Sequence, residues 1–385
     1  MNDVEDADVR CPKCREPIAE GDAFCENCGT TLTAAPEQAR AAAMAAAAEL
    51  TPEPATPEGA ADAQTSARTH FINPAGATDD EPAVVPARAC SSCGGEVGPD
   101  GYCTVCGVKA PNGREHLVEQ PSATVVGICD KGIVHVRNED AMALAVADAW
   151  TALVVCDGVT TATDSDTAAQ AASIAARNVL ASAVDPSAGS PAERVTRWTA
   201  LMKSAATAAG VAAAATAAAA GPTDNPPSCT FVAAVTDGEL IVTGCVGDSR
   251  AYWLPDGGAA EQLSVDDSWA TEQIAAGVAR EVAEAGPRGH AITRWLGVDS
   301  PEVDASVATT TVTSPGWLLV CSDGLWNYAS AAADLAALVA SMPDQNPLPL
   351  GEALVAWANA QGGHDNITVT LARLGSGRAA TEGDS

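Results

Sequence analysis

The larger, C-terminal part of the sequence predicts an α+β layered sandwich. Three observations lead there. Strand-like apolar runs come in groups rather than in strict alternation with helical segments. Two long helical segments fall together between the third and fourth strands. Turn signals such as Thr236-Asp237-Gly238 then join later strands as hairpins. The strand candidates are 123–129, 141–147, 151–156, 229–236, 239–246, 250–254, 303–313, 316–321 and 366–373, each a short run rich in Val, Ile, Leu or Thr. The helix candidates are 165–184, 191–220, 266–278, 330–341 and 349–361. The stretch 205–220 is almost all Ala, a strong helix former but too weakly apolar to cross a membrane, so it reads as a helix inside the domain.

Composition narrows the function classes. At 385 residues the chain has room for one large domain and smaller pieces. Its 47% hydrophobic content leans on Ala, and aromatics are only 4%, so the core must be built from Val, Leu, Ile and Ala. A net charge of −30 argues against general binding to nucleic acid or to an anionic membrane. The start, MNDVEDADVRCPKC, has neither the basic nor the apolar region of a secretion signal, and no run of strongly apolar residues is long enough to span a bilayer. The expected location is cytoplasmic.

The 13 cysteines divide cleanly. Eight form two pairs of pairs, Cys11, Cys14, Cys25 and Cys28, then Cys90, Cys93, Cys103 and Cys106. Two C-x2-C turns can close four thiolates around one zinc ion, and loops of about ten residues are too short to fold without it. The absence of a secretion signal disfavours the disulfide alternative. Both segments resemble zinc ribbons, which would fold separately or pack as a double ribbon, with a zinc ion each. The other five, Cys129, Cys156, Cys229, Cys245 and Cys321, lie in apolar runs and read as small buried hydrophobes. None has an arginine six positions later, which excludes the cysteine-nucleophile phosphatases.

The expected order along the chain is a polar tail at 1–10, ribbons at 11–32 and 90–109, and a disordered Ala/Pro/Glu-rich linker at 33–89 between them. A short polar joint then leads to the main domain at 121–374, and a disordered tail follows at 375–385.

Acidic residues cluster at the ends of the strand-like runs, in NEDAMALAV, ALVVCDG, IVTGCVGDSR, WLLVCSDG and HDNITVTL. A carboxylate on the end of a buried strand is a well-aimed oxygen ligand. Several of them converging repel one another and need cations, and oxygen-only ligands favour hard ions such as magnesium, manganese or calcium. Solvated or calcium-stabilised turns are the plainer alternative.

The ordered series NEDA, VCDG, VGDSRAYW, TRWLG, LLVCSDGLWN and HDNITV resembles the metal-dependent protein phosphatases, the type-2C Ser/Thr family, across 121–374. The resemblance implies a four-layer α-β-β-α sandwich. It also implies hydrolysis of phosphoserine and phosphothreonine by water activated at a dinuclear manganese or magnesium centre. Position by position, it makes Asp157 the bridging ligand, with the Gly158 carbonyl on the second metal. Asp323 and Asp365 would hold the first, and Glu139 and Asp140 would serve the second. Asp248, with Asp323, would hold a weaker third ion. Asn366 would orient its loop, and Arg250 would be structural. Phosphorylated proteins, including a partner Ser/Thr kinase and its substrates, are the implied partners, with further protein partners through the ribbons.

Two departures stand out. The family's phosphate-binding arginine slot holds His135, with Arg137 two residues later. On an extended strand the two would share a face, so either is a candidate phosphate contact. The usual Met-Gly-Gly-His after Asp-Gly is replaced by VTTA, which leaves the proton donor open. His135 is one candidate, although an ordinary strand histidine reads equally well. His364 reads as a loop residue beside Asp365, and His290 has no assigned role. These departures motivate a competing reading, a catalytically weak sensor or adaptor, which the retained Asp157, Asp323, Asp365 and Asn366 argue against. A ribbon-based nucleic-acid binder is disfavoured, because Lys13 and Arg15 are outnumbered by Glu16, Glu20, Asp22 and Glu26 in ribbon one.

Overall fold

A computed structural model describes residues 104–106, 113–182, 188–286, 288–300 and 304–375. Both expected ribbons, except residues 104–106 of the second, lie outside the described residues, as do the 1–10 tail, the 33–89 linker and residues 376–385. Residues 104–106 form a turn within one unit, Thr33–Ala110; the other described residues belong to a second unit.

That second unit contains thirteen strands and seven helices among its described residues. Five strands form one antiparallel sheet. They are β3 (Ala141–Ala147), β4 (Trp150–Cys156), β6 (Phe231–Thr236), β7 (Leu240–Val246) and β11 (Ser306–Thr311), in the order β11-β7-β6-β4-β3. Six form the other, also antiparallel. They are β1 (His116–Ser122), β2 (Val125–Asp130), β8 (Arg250–Pro255), β9 (Glu261–Gln262), β12 (Gly316–Cys321) and β13 (Ile367–Leu374), in the order β1-β2-β13-β12-β8-β9. A short pair, β5 (Ser228–Cys229) and β10 (Leu296–Gly297), stands apart.

Three apolar clusters give the layering. One lies between the sheets and joins Met142, Leu153, Val155, Val232 and Ile241 to Trp253, Leu318 and Val320. A second packs α1 (Ser165–Ala181) and α2 (Pro191–Ala220) on the five-stranded sheet. A third packs α6 (Ala332–Ser341) and α7 (Pro347–Gln361) on the six-stranded sheet. Strands buried on both faces explain the near-continuous apolar runs of β4, β7 and β12. The two helix layers differ in material. Helices α1 and α2 bury Ala168, Ala169, Ala172, Ala205, Ala206 and Ala209, so they pack through small side chains. The opposite layer uses Leu335, Leu350, Leu354 and Trp326, each large side chain contributing about 1.5–3 kcal/mol on full burial.

Helix α2 begins at a Ser190–Glu193 capping box followed by Pro191, and it spans the residues expected from the sequence. The expected helix at 266–278 is shorter, α3 (Trp269–Ala275), because Gly277 adopts a positive φ of 96° and ends it. A short helix, α4 (Arg280–Glu284), follows. Strand β1 begins ahead of the expected domain start at 121, in the stretch expected to be a polar joint. Its exposed edge position leaves it little apolar patterning to detect. Among the described residues no helix is long and apolar enough to cross a membrane.

Candidate active site

The acidic residues collect where strand ends of both sheets meet. Asp157 follows β4, and Glu139 and Asp140 precede β3. Asp248 occupies the turn from β7 to β8, Asp365 lies just before β13, and Asp323 opens the short helix α5 (Asp323–Trp326) after β12. Hydrogen bonds fix these ends to one another. The Asp157 N–H donates to Thr230 Oγ1 at 3.0 Å, and Thr230 Oγ1 lies 2.8 Å from Ser249 Oγ, tying β4 to the Asp248 turn. Ser322 and Thr368 hydroxyls both donate to Asp140 Oδ2 at 2.7 Å, joining β3 to the other sheet.

Asn366 is the central brace. Its Oδ1 accepts from the Glu139 N–H at 2.7 Å, and its Nδ2 donates to the carbonyls of Lys131 and Arg137 at 2.7 and 3.1 Å. Two glycines let the backbone close in. A side chain on Gly158 would meet the Glu139 carbonyl oxygen at 2.7 Å, and one on Gly324 would collide with the Asn366 carbonyl oxygen.

The electrostatics are those of anions forced together. Asp157, Asp248 and Asp365 are held well above the usual carboxylate range, first by withdrawal from water and then by neighbouring carboxylates, with Asp323 acting on all three. Burial pushes Asp140 up to about 6, against the hydrogen bonds from Thr368 and Ser322. Asp140 Oδ1 and Asp323 Oδ1 are buried without a hydrogen-bond partner. Orphaned carboxylate oxygens amid like charge suit a hard divalent cation, which satisfies both demands at once.

Among the described residues the acidic side chains are turned towards hydrogen-bond donors rather than gathered three or more around one common point. Their present partners explain this. Glu139 Oε1 accepts from Arg137 at 2.9 and 2.5 Å and from the Ser165 hydroxyl, Asp140 Oδ2 serves Ser322 and Thr368, and Asp365 Oδ1 accepts from the Asn366 N–H at 2.7 Å.

The loop that carries the expected phosphate contacts differs from expectation. Residues 131–140 are a loop rather than an extended strand, so the shared-face argument for His135 and Arg137 does not apply. Arg137 pairs with Glu139 and remains 45% exposed. His135 is only 10% exposed, with Nε2 3.3 Å from Asp365 Oδ1 and Nδ1 3.8 Å from Glu139 Oε2. The loop after Asp157 is pinned by Val159 N–H to the Ser228 carbonyl at 3.0 Å and Thr163 N–H to the Asn225 carbonyl at 2.9 Å. Arg250 is buried in an ion pair with Asp266 at 2.6 Å and lies 3.5 Å from the Trp326 ring centroid. His290 stands 6.3 Å from that ring, and the His364 N–H donates to the Tyr328 hydroxyl at 3.0 Å.

Sequence reasoning missed Thr230, Ser165, Ser322 and Thr368. Three of them carried a readable signal. Thr230, Ser322 and Thr368 are hydroxyls within apolar runs, where a buried polar group must have a partner.

Comparison with known proteins agrees with this geometry. A Protein phosphatase 2C family model matches residues 134–365, and a Double zinc ribbon model matches residues 11–107. The serine/threonine phosphatase stp of Listeria welshimeri is 34% identical over 151 residues, which cover 38% of this chain and 57% of that one. The chain thus spans little more than half the length of the curated relatives it matches. The crystal structure of the Mycobacterium tuberculosis serine/threonine phosphatase PstP/Ppp is 25% identical, covering 67% of this chain and 99% of that one with a TM-score of 0.53. A catalytic domain of PstP in complex with two manganese ions, 24% identical, covers 65% and 98% with a TM-score of 0.50 and shares the fold. The family model takes in residues 134–365, well over half of the chain: the chain belongs to the protein phosphatase 2C family.

Proposed function

We propose that this chain is a protein Ser/Thr phosphatase that hydrolyses phosphoserine and phosphothreonine at a dinuclear manganese or magnesium centre. The observation that carries the proposal is the strand-end carboxylate cluster, with raised proton affinities and two orphaned buried oxygens. Asp157 would serve both ions, with the Gly158 carbonyl on one of them. Asp323 and Asp365 would serve the first ion, Glu139 and Asp140 the second, and Asp248 a weaker third. When bound, the ions supply an activated water and neutralise charge on the phosphoryl group. Asn366 keeps Glu139, Lys131 and Arg137 in register. Arg137 stands at the exposed rim and grips a phosphate oxygen, while the more enclosed His135 contacts the phosphate or hands a proton to the leaving group. The eight paired cysteines hold two structural zinc ions, and the ribbons recruit protein partners, a Ser/Thr kinase among them.

The test is hydrolysis of p-nitrophenyl phosphate with manganese, in the wild type and in Asp157→Ala. Turnover that requires the metal and disappears in the variant is the expected result. A second reading, a weakly catalytic sensor, is favoured only by the engagement of Arg137 with Glu139. Bound manganese without turnover in the wild type would select it. Metal analysis should find two zinc ions per chain, and none would remove the ribbon assignment.

A further inference from the structure

The loop 131–137, Lys-Gly-Ile-Val-His-Val-Arg, borders the acidic cluster and is held firmly without being strand or helix. Ile133 and Val134 N–H groups donate to the Gly363 carbonyl at 2.9 and 3.1 Å. The Gly132 N–H donates to Asp130 Oδ1 at 2.9 Å, and Asn366 holds the carbonyls of Lys131 and Arg137. On this pinned backbone Val136 is 91% exposed and Ile133 65%. A single exposed valine elsewhere needs no explanation. Here two branched apolar side chains stand within three positions of each other, on either side of His135, at the mouth of the site.

Charge gives the occupant. Two of the chain's 20 Lys and Arg residues, Lys131 and Arg137, fall in these seven positions with no acid among them, whereas the whole chain carries 50 acidic residues. Lys131 and the half-exposed Arg137, which also pairs with Glu139, can draw a phosphate oxygen to this loop, and acidic residues flanking the phosphate are disfavoured by the chain's excess of acidic groups. An uncharged, apolar neighbour meets Val136 and Ile133 instead.

We propose that Ile133 and Val136 form the contact for the side chain next to the phosphorylated residue, so that the site selects phosphopeptides with an apolar neighbour. The proposal rests on the phosphatase reading above and deepens it. One apolar side chain in such a contact is worth about tenfold in kcat/KM.

The experiment compares the full chain with Val136→Ser and Ile133→Ser, under manganese, on phosphothreonine peptides with Leu, Ser or Glu immediately before or after the phosphothreonine. p-Nitrophenyl phosphate, which has no neighbouring residue, runs alongside. The expected wild-type result is about tenfold higher kcat/KM for a Leu-flanked peptide than for the Ser-flanked one, with Glu lower still. Val136→Ser should remove most of that preference, chiefly through KM, with p-nitrophenyl phosphate turnover within about twofold of wild type. Equal rates on all peptides, or a preference that survives both substitutions, would overturn the proposal while leaving the phosphatase reading intact. Absence of p-nitrophenyl phosphate turnover would remove both. A change of oligomeric state in Val136→Ser with the peptide preference intact would assign the patch to contact between copies and overturn it too.

Discussion

The two sides of the site are built from different material. The carboxylates stand on the ends of strands whose faces are buried in three apolar clusters, so sheet register fixes where each one points. The gripping side is made of two loops, 131–137 and 158–164, held by backbone hydrogen bonds to neighbouring segments. Backbone pinning sets the path of a loop and leaves its side chains free to vary. The resemblance read from the sequence rests accordingly on the carboxylates, while its departures, His135 and VTTA, both fall on the loops.

The sharpest way to break this comparison is to remove a strand-end ligand. Asp323→Ala deletes a carboxylate with an orphaned buried oxygen. It should lower kcat on p-nitrophenyl phosphate by about 10³-fold or more, equivalent to roughly 4 kcal/mol of transition-state stabilisation. Circular dichroism should show the fold retained, since removing one of several crowded negative charges relieves repulsion. A loss of less than about tenfold would mean that the cluster is not the catalytic centre.

The next largest effect concerns proton and metal linkage. Asp140 rises to about 6 in the folded chain, and Asp157, Asp248 and Asp365 are also raised, by burial first and neighbouring charge second. A raised carboxyl keeps a proton in the folded state that the unfolded state releases above about pH 4. The folded state then binds more protons, and stability falls as pH rises from there through the folded value. Metal-free protein should be more stable, and so melt at a higher temperature, at pH 5.5 than at pH 7.5, with Asp140 alone contributing on the order of 1 kcal/mol. Saturating manganese should reverse the order, because the cation favours the ionised form. Thermal melts with and without chelator check this, and an unchanged order in manganese would count against cation binding at these carboxylates.

Much of this was legible in the sequence, for physical reasons that also mark its limits. Helix α2 and the strand-end acids were readable because Ala-rich helix composition, caps and two-sided burial leave strong local patterns. Strand β1 was not, because an exposed edge strand with pattern His-Leu-Val-Glu-Gln-Pro-Ser carries almost no apolar alternation. A shared face for His135 and Arg137 holds only on an extended strand, and 131–140 is instead a loop on which Ile133 and Val136 are exposed. Thr230, Ser322 and Thr368 bind across 19 to 228 positions of sequence, and only the folded sheets bring those partners together.

Asn366 sits between the two sides and can sharpen the comparison. It touches no expected substrate atom, yet it joins Glu139 to both ends of the 131–137 loop. Asn366→Ala should cost about 10–100-fold in kcat/KM, the range for groups that orient ligands from behind. Weaker manganese affinity should accompany the loss, measured by activity against metal concentration. Asn366→Asp, which keeps the acceptor for the Glu139 N–H but loses the two donors, separates the roles. If the loop anchoring matters most it behaves like Ala, and if the Glu139 contact matters most it keeps most activity.

The smallest effect is expected where the loop itself is altered. His135→Arg places a permanently charged fork where a ring now lies between Glu139 and Asp365. As a phosphate contact it should lower KM for p-nitrophenyl phosphate by about two- to fivefold, the worth of one partly exposed charged contact. The two roles open to His135 diverge on a second substrate. p-Nitrophenolate leaves without a proton, whereas the alkoxide of a threonine side chain needs one. If His135 supplies it, His135→Arg lowers kcat on phosphothreonine peptides by about 10²-fold or more while p-nitrophenyl phosphate is spared. If His135 only contacts the phosphate, both substrates improve together. The second outcome is the one expected, because the ring lies against two carboxylates and is largely enclosed, which makes it a poor route for a proton to a departing peptide hydroxyl.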